Sequence, residues 1–225
     1  MNCKMCEQFW DWIYDLSHAW ERAHSNEAKL WSEESERASD LAAKARAIQD
    51  SDPGAALQLY HEAADAGSVW SMEVLGWHYS NGIATEQDPV IADDFYRRAI
   101  ASGSLMAIIG YAQFLKNGSR RDECSRVLED GIAAGFVPAS FWLARFRYMW
   151  APNSASCKEV RPILEFAAKQ GHPFARITLA RWQVMGQLGI GEIPTGIRSS
   201  FALIGALVGH EGNTDKGLAA LAKLQ

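Results

Sequence analysis

A glycine recurs along the middle of this chain at nearly even intervals, and each time it closes a run of mostly small residues. Four copies are Ala63-Ala64-Asp65-Ala66-Gly67, Ala99-Ile100-Ala101-Ser102-Gly103, Gly131-Ile132-Ala133-Ala134-Gly135 and Ala167-Ala168-Lys169-Gln170-Gly171, and a weaker fifth ends at Gly209. The successive glycine spacings are 36, 32, 36 and 38 residues. A period of this size marks one supersecondary unit used over and over, and it restricts the fold more than any single motif does.

Residues at fixed distances from each glycine agree. Four positions after it stand Ser71, Ala107, Ala139 and Ala175; eight after, Leu75, Tyr111, Leu143 and Leu179; nine after, Gly76, Ala112, Ala144 and Ala180. These offsets share one helical face, on which small residues admit a neighbouring helix and large ones anchor it. A second amphipathic helix precedes each glycine. Its stripe is Ala56, Ala92, Cys124 and Val160 eleven positions back, Leu59, Phe95, Val127 and Ile163 eight back, and Tyr60, Tyr96, Leu128 and Leu164 seven back. Asp52-Pro53 and Asp88-Pro89 read as cap and first residue of those second helices. Asn81-Gly82 and Asn117-Gly118 read as left-handed ends of the first helices. Each unit is predicted to run helix A, short loop, helix B, glycine turn. One such hairpin cannot bury its apolar face alone, so the units must stack.

The best-kept copy, Ser71…Leu75-Gly76…Tyr79…Gly82…Asp88…Ala92…Phe95-Tyr96…Ala99…Gly103, resembles the Sel-one-like repeat, a relative of the tetratricopeptide repeat. The resemblance spans about residues 52 to 209; repeat three lacks four residues between Gly118 and Cys124, and repeat four has Trp150 where the loop glycine would stand. It implies an all-α fold, a right-handed α/α superhelix (solenoid) of about four to five two-helix repeats, with adaptor or scaffold roles. The expected organisation is an N-terminal helical cap over 1–50, the solenoid over 51–212 and a C-terminal capping helix over 213–225. Some secreted, cysteine-rich relatives have been linked to β-lactam binding, but this chain lacks their regular cysteine pairs.

The two ends depart from the repeat. Phe9, Trp10, Trp12, Ile13, Leu16 and Trp20 form an apolar helical stripe, and Glu27 to Ile48 read as a second helix. The stripe either covers the open end of the array or docks a partner; a homodimer through Trp10, Trp12 and Trp20 is the second possibility. Asp215 to Leu224 read as a closing helix capped by Thr214.

Other chemistry is sparse. Cys3-Lys4-Met5-Cys6 with His18 and His24 approaches two-Cys two-His zinc spacing. A finger needs strands around the cysteine pair, whereas a helix over residues 7 to 24 holds Cys6 and His18 about 18 Å apart. Ordinary thiols and no metal are expected. Gly186-Gln187-Leu188-Gly189-Ile190-Gly191 lacks the Walker pattern and reads as an elongated A-to-B loop. His61, His78, His172 and His210 are scattered, and with Cys124 and Cys157 they assemble no nucleophile, base and orienting group. No cofactor and no enzymatic activity are expected. Four cysteines suit a reducing cytoplasm better than a disulfide framework. No apolar core follows Met1–Trp10, so no signal peptide is expected. The longest apolar run, Phe201 to Val208, is too short for a membrane span. A net charge of −5 without a dense Lys/Arg run argues against a nucleic-acid partner.

By analogy with tetratricopeptide-like arrays, helix A lines a concave groove. Offsets of 3, 6, 10, 13 and 14 residues from each glycine then place Trp70, Glu73, Trp77, Asn81, Gln113, Lys116, Asn117, Phe141, Arg145, Tyr148 and Arg181 on it. Aromatics mixed with Arg, Asn and Gln have the composition of binding hot spots. Asn and Gln can clamp a peptide backbone, and Arg145 and Arg181 can pair with a carboxylate. The competing reading packs the same stripe against the next repeat or the N-terminal helices. The expected function is a bacterial, cytoplasmic scaffold or adaptor that binds a peptide or protein in this groove. The alternatives are a small-ligand binder or hydrolase like the cysteine-rich relatives, and a self-associating structural subunit.

Overall fold

The computed structural model describes the backbone of residues 4–116, 119–210 and 212–224, and the side chains of these residues from Asp11 onward. Cys3, Asn117 and Gly118 lie outside the described residues, as do the side chains of Cys6 and Trp10. The described residues are all-α: thirteen α-helices, one 3-10 turn at Ile190–Glu192, and no strand. None of these helices is long and apolar enough to cross a membrane. The chain divides into two compact units, one of Ser25–Gly131 and one that joins the segment up to His24 to Ile132–Gln225.

The first unit contains α2 (Glu27–Glu33), α3 (Glu36–Ile48), α4 (Pro53–Asp65), α5 (Val69–Asn81), α6 (Pro89–Ala101), α7 (Met106–Leu115) and most of α8 (Arg121–Ala133). Consecutive helices pack as hairpins, α3 on α4 and α5 on α6. The predicted start signals operate. Asp52 accepts the Ala55 N–H ahead of Pro53, and Asp88 accepts the Val90 and Ile91 N–H groups ahead of Pro89. The turn glycines Gly67 and Gly103 take φ of 99° and 92°, a region that L side chains avoid. Glu27 to Ile48 is not one helix, however. Glu34 and Ser35 are extended, and the Ser35 hydroxyl accepts the Ala38 N–H to start α3, so capping chemistry beats helix propensity there.

The core of this unit joins the repeat offsets: Tyr60, Leu75 and Phe95 are buried among Ala45, Ala56, Ala64, Ala99 and Ala107. On the surface, the Tyr111 hydroxyl of α7 donates to Asp93 of α6 at 2.8 Å, and Arg120 reaches the same carboxylate at 2.6 Å. Burial alone would raise the Asp93 carboxyl, but hydrogen bonds from Arg97, Tyr111 and Arg120 outweigh it and hold the group below its ordinary range.

The second unit contains α1 (Lys4–Ala23), α9 (Pro138–Trp150), α10 (Ser154–Lys169), α11 (Pro173–Val184), α12 (Ile193–Leu207) and α13 (Thr214–Ala222). Gly135, Gly171 and Gly209 again take positive φ, at 85°, 98° and 81°. The N-terminal helix α1 packs on α11 and α13. Its Trp12, Ile13 and Leu16 share a core with Ala180, Leu203, Leu207 and Leu221. Trp12 and Trp20 are only 6% and 7% exposed. The described part of the stripe, Trp12 to Trp20, is therefore interior: Trp12, Ile13 and Leu16 pack on the C-terminal helices of the same chain. The cap of α13 is Asn213, whose side chain accepts the Lys216 N–H at 3.0 Å, and not Thr214.

Candidate binding cleft between helices α9 and α11

Helices α9 and α11 are the A helices of consecutive repeats, and each starts on a proline at its first turn. A cleft of about 500 Å³ opens between them. Its floor is aromatic. Phe141 and Trp182 are buried, Phe141 stacks on Phe174 with centroids 5.9 Å apart, and Tyr148 leans on Trp182 at 4.7 Å. The rim carries Arg145, Met149 and Arg181, all exposed. At the edge, the buried Cys157 thiol donates to the Gln187 carboxamide oxygen at 3.4 Å, and burial pushes that thiol's pKa up.

The charge of the lining is one-sided. Arg145 and Arg181 are its two charged residues, and neither pairs with a carboxylate among the described residues. The Arg145 guanidinium instead lies 5.9 Å from the Phe141 ring centre and 5.5 Å from that of Trp142, within cation–π range. Arg161 on α10 shows the usual alternative, pairing with Glu165 at 2.6 Å and Glu192 at 3.0 Å. Beside the cleft, half-exposed Tyr14 of α1 meets Phe174 edge-on at 6.5 Å. Burial raises the Tyr14 hydroxyl and nearby Glu21 adds to that, while Arg145 pulls the other way.

Phe141, Arg145, Tyr148 and Arg181 of the sequence-derived groove therefore share one cleft. The rest fall elsewhere. In the unit Ser25–Gly131, Trp70 lies edge-on to Tyr60 and lines a separate cavity of about 420 Å³ with Trp31 and Arg46. Trp77 is 52% exposed, and Asn81 donates to the Trp77 carbonyl at 2.8 Å, serving its own helix end. Glu73 accepts the Ser104 hydroxyl. Gln113 and Lys116 are half-buried on α7 and its C-cap, and Asn117 is outside the described residues.

The fold has known counterparts. A Sel1 repeat protein from Oxalobacter formigenes superposes with a TM-score of 0.57 over 84% of this chain and 88% of that one, at 14% identity. A protective antigen of uropathogenic Escherichia coli that displays the same repeat fold superposes with a TM-score of 0.50 at 18% identity, over 76% of this chain and 42% of the antigen. This chain has the Sel1-repeat fold. No family model and no curated protein matches its sequence.

Within that Sel1-repeat fold, the position just after each turn glycine matters in a way that the glycine offsets alone do not reveal. Ser68, Ser104 and His172 occupy it after Gly67, Gly103 and Gly171 and are buried, whereas Phe136 and His210 stand there after Gly135 and Gly209. Ser68 and His172 are the N-caps of their A helices, accepting the N–H groups of Ser71 and Ala175, and the Ser104 hydroxyl accepts the Ala107 N–H at 3.0 Å. Each also donates to a carboxylate: Ser68 to Glu34, Ser104 to Glu73, and His172 to Glu21. Because His172 Nδ1 accepts the Ala175 N–H, Nε2 carries the proton and donates to Glu21 at 3.2 Å. The recurrence of a capping residue after the glycine was a visible signal; its carboxylate partners were not, because they come from other helices.

No set of three or more His, Cys, Asp or Glu among the described residues is arranged to hold a metal ion. His24 stacks on Trp20 at 3.8 Å and His18 sits 3.3 Å from Glu21, so both histidines of the zinc-like spacing are engaged within this unit. Cys124 is buried and its thiol is pushed up to about 12 by burial, which suppresses the nucleophilic thiolate.

Proposed function

We propose that this Sel1-repeat chain is a cytoplasmic protein-interaction module, an adaptor that takes a segment of a partner protein into the α9–α11 cleft. The observation that carries the reading is the pair of exposed arginines, Arg145 and Arg181, standing over an aromatic floor with no carboxylate partner among the described residues. Arginine and large aromatics dominate binding hot spots, since a guanidinium adds charge-assisted hydrogen bonds to the area that rings bury. A cleft of about 500 Å³ suits a few side chains of a bound segment. The reading is non-catalytic: the cleft lining carries two arginines and a tyrosine and contains no histidine, carboxylate or thiol to serve as a general base. The buried free thiols of Cys124 and Cys157 suit a reducing compartment.

A photo-crosslinking side chain placed at Met149, on the cleft rim, tests this in lysate of the source cells. A discrete crosslinked protein is expected from Met149 and not from Lys158 on the exposed side of α10, and Arg145→Glu with Arg181→Glu should suppress it. Equal labelling from both positions, or labelling indifferent to the charge reversal, counts against the cleft.

A further inference from the structure

If the cleft takes a partner segment, as its arginines and aromatic floor support, its chemistry also narrows what that segment is. Arg145 and Arg181 both stand ten residues after their turn glycines, Gly135 and Gly171, so they are the same position in consecutive repeats. Side chains of their two helices touch through Phe141 and Phe174 and through Tyr148 and Trp182. The two guanidinium stems therefore stand on neighbouring A helices, on opposite sides of the aromatic floor.

We infer that the cleft binds an extended acidic peptide segment in which two carboxylate side chains flank a large apolar one. The two carboxylates take the two arginines, and the intervening side chain lies on the floor of Phe141, Phe174 and Trp182. Charge complementarity favours this occupant over a basic or neutral one: the chain carries a net −5, yet this lining contains two cations and no acid. An apolar floor with cations only on its rim also disfavours a purely electrostatic ligand, which would leave the rings uncovered.

Calorimetry on the full chain tests the inference with two blocked probes, acetyl-Ser-Glu-Leu-Phe-Glu-Ser-amide and its counterpart with both glutamates changed to glutamine. The acidic probe should bind at least about tenfold more tightly, since two charge-assisted contacts become neutral ones in the counterpart. Arg145→Gln and Arg181→Gln should each weaken the acidic probe about fivefold, and the double variant should no longer distinguish the probes. Both arginines are exposed, so circular dichroism and thermal midpoint should be unchanged in these variants. Equal binding of the two probes, binding of neither, or a preference that survives in the double variant overturns the inference. Competition by inorganic phosphate as strong as that of the acidic probe also overturns it, in favour of a phosphoryl ligand. Crosslinking from Met149 with no preference between the probes would leave the interaction module standing and remove this ligand class. Selective binding of the acidic probe without any Met149 crosslink would do the reverse.

Discussion

The indole N–H of Trp142 donates to the carboxylate of Glu21 at 2.8 Å, joining residues 121 positions apart in the chain. The same carboxylate oxygen takes the Nε2 proton of His172, the cap of α11. Helix α1 thus supplies α11 with the acceptor that Glu73, on the preceding A helix, supplies to Ser104. Phe141 occupies the equivalent of Glu73 on α9, six residues after its glycine, so the acceptor has to come from outside the repeats. Glu21 is 1% exposed, and removing it strands two buried donors. Glu21→Leu should cost about 3 kcal/mol in urea unfolding, from about 1 to 3 kcal/mol for each unsatisfied group. Glu21→Gln retains an acceptor oxygen and should cost clearly less. A Glu21→Leu protein within error of the wild type would mean that α1 is not fastened by this carboxylate.

The same junction sets a pH dependence. Burial drives the His172 imidazole below its ordinary pKa, with Glu21 pulling partly back, and burial does the same to His61 and His78. In the folded chain these rings stay neutral at pH values where the unfolded chain protonates them, near 6.5. The unfolded state then binds more protons, so stability falls as pH drops through that value. The carboxylates held low, Asp93 and Glu123, act in a separate window, because their contribution persists until about pH 4. Thermal midpoints at pH 7.5, 6.5 and 5.5 should decline, and His172→Asn, which keeps a capping acceptor, should flatten the decline. A midpoint constant down to pH 5.5 would contradict the burial of neutral imidazole.

Contacts as distant as that of Glu21 with His172 lie beyond what the sequence can tell. The helix pairs were legible because their signals are local: Asp52-Pro53, Asp88-Pro89 and the positive-φ glycines each act within a few residues. The break at Ser35 is equally local, but the alanines around it point to one continuous helix, and the Ser35 cap wins over that propensity. The destination of the Trp12–Trp20 stripe was not legible. Periodicity shows that a face must be buried but not which helix buries it, and here the partners lie some 160 to 210 residues downstream. For the cleft, the offsets grouped Arg145 with Arg181 correctly because repeats place equal positions side by side. They also swept in Glu73, whose hydrogen bond to Ser104 cannot be read from spacing.

Gly196 offers a sharper test of packing in the unit that carries the cleft. It lies early in α12 against the C-terminal end of α11, where an added Cβ would stand 2.5 Å from the Val184 backbone nitrogen and 2.6 Å from Gln183 Cβ. Backbone atoms cannot rotate away as a side-chain tip can, so the helices must separate. Gly196→Ala should therefore cost about 2 kcal/mol, in the range of core overpacking, although alanine is the better helix former. Gly205, two and a half turns further along the same helix, has nothing within 4 Å of its Cβ position. Gly205→Ala should stabilise by about 0.5 to 1 kcal/mol, because propensity acts there without a clash. Paired urea titrations would show the opposite signs. Two stabilising alanines would mean that α12 does not sit against α11 as closely as 2.5 Å requires.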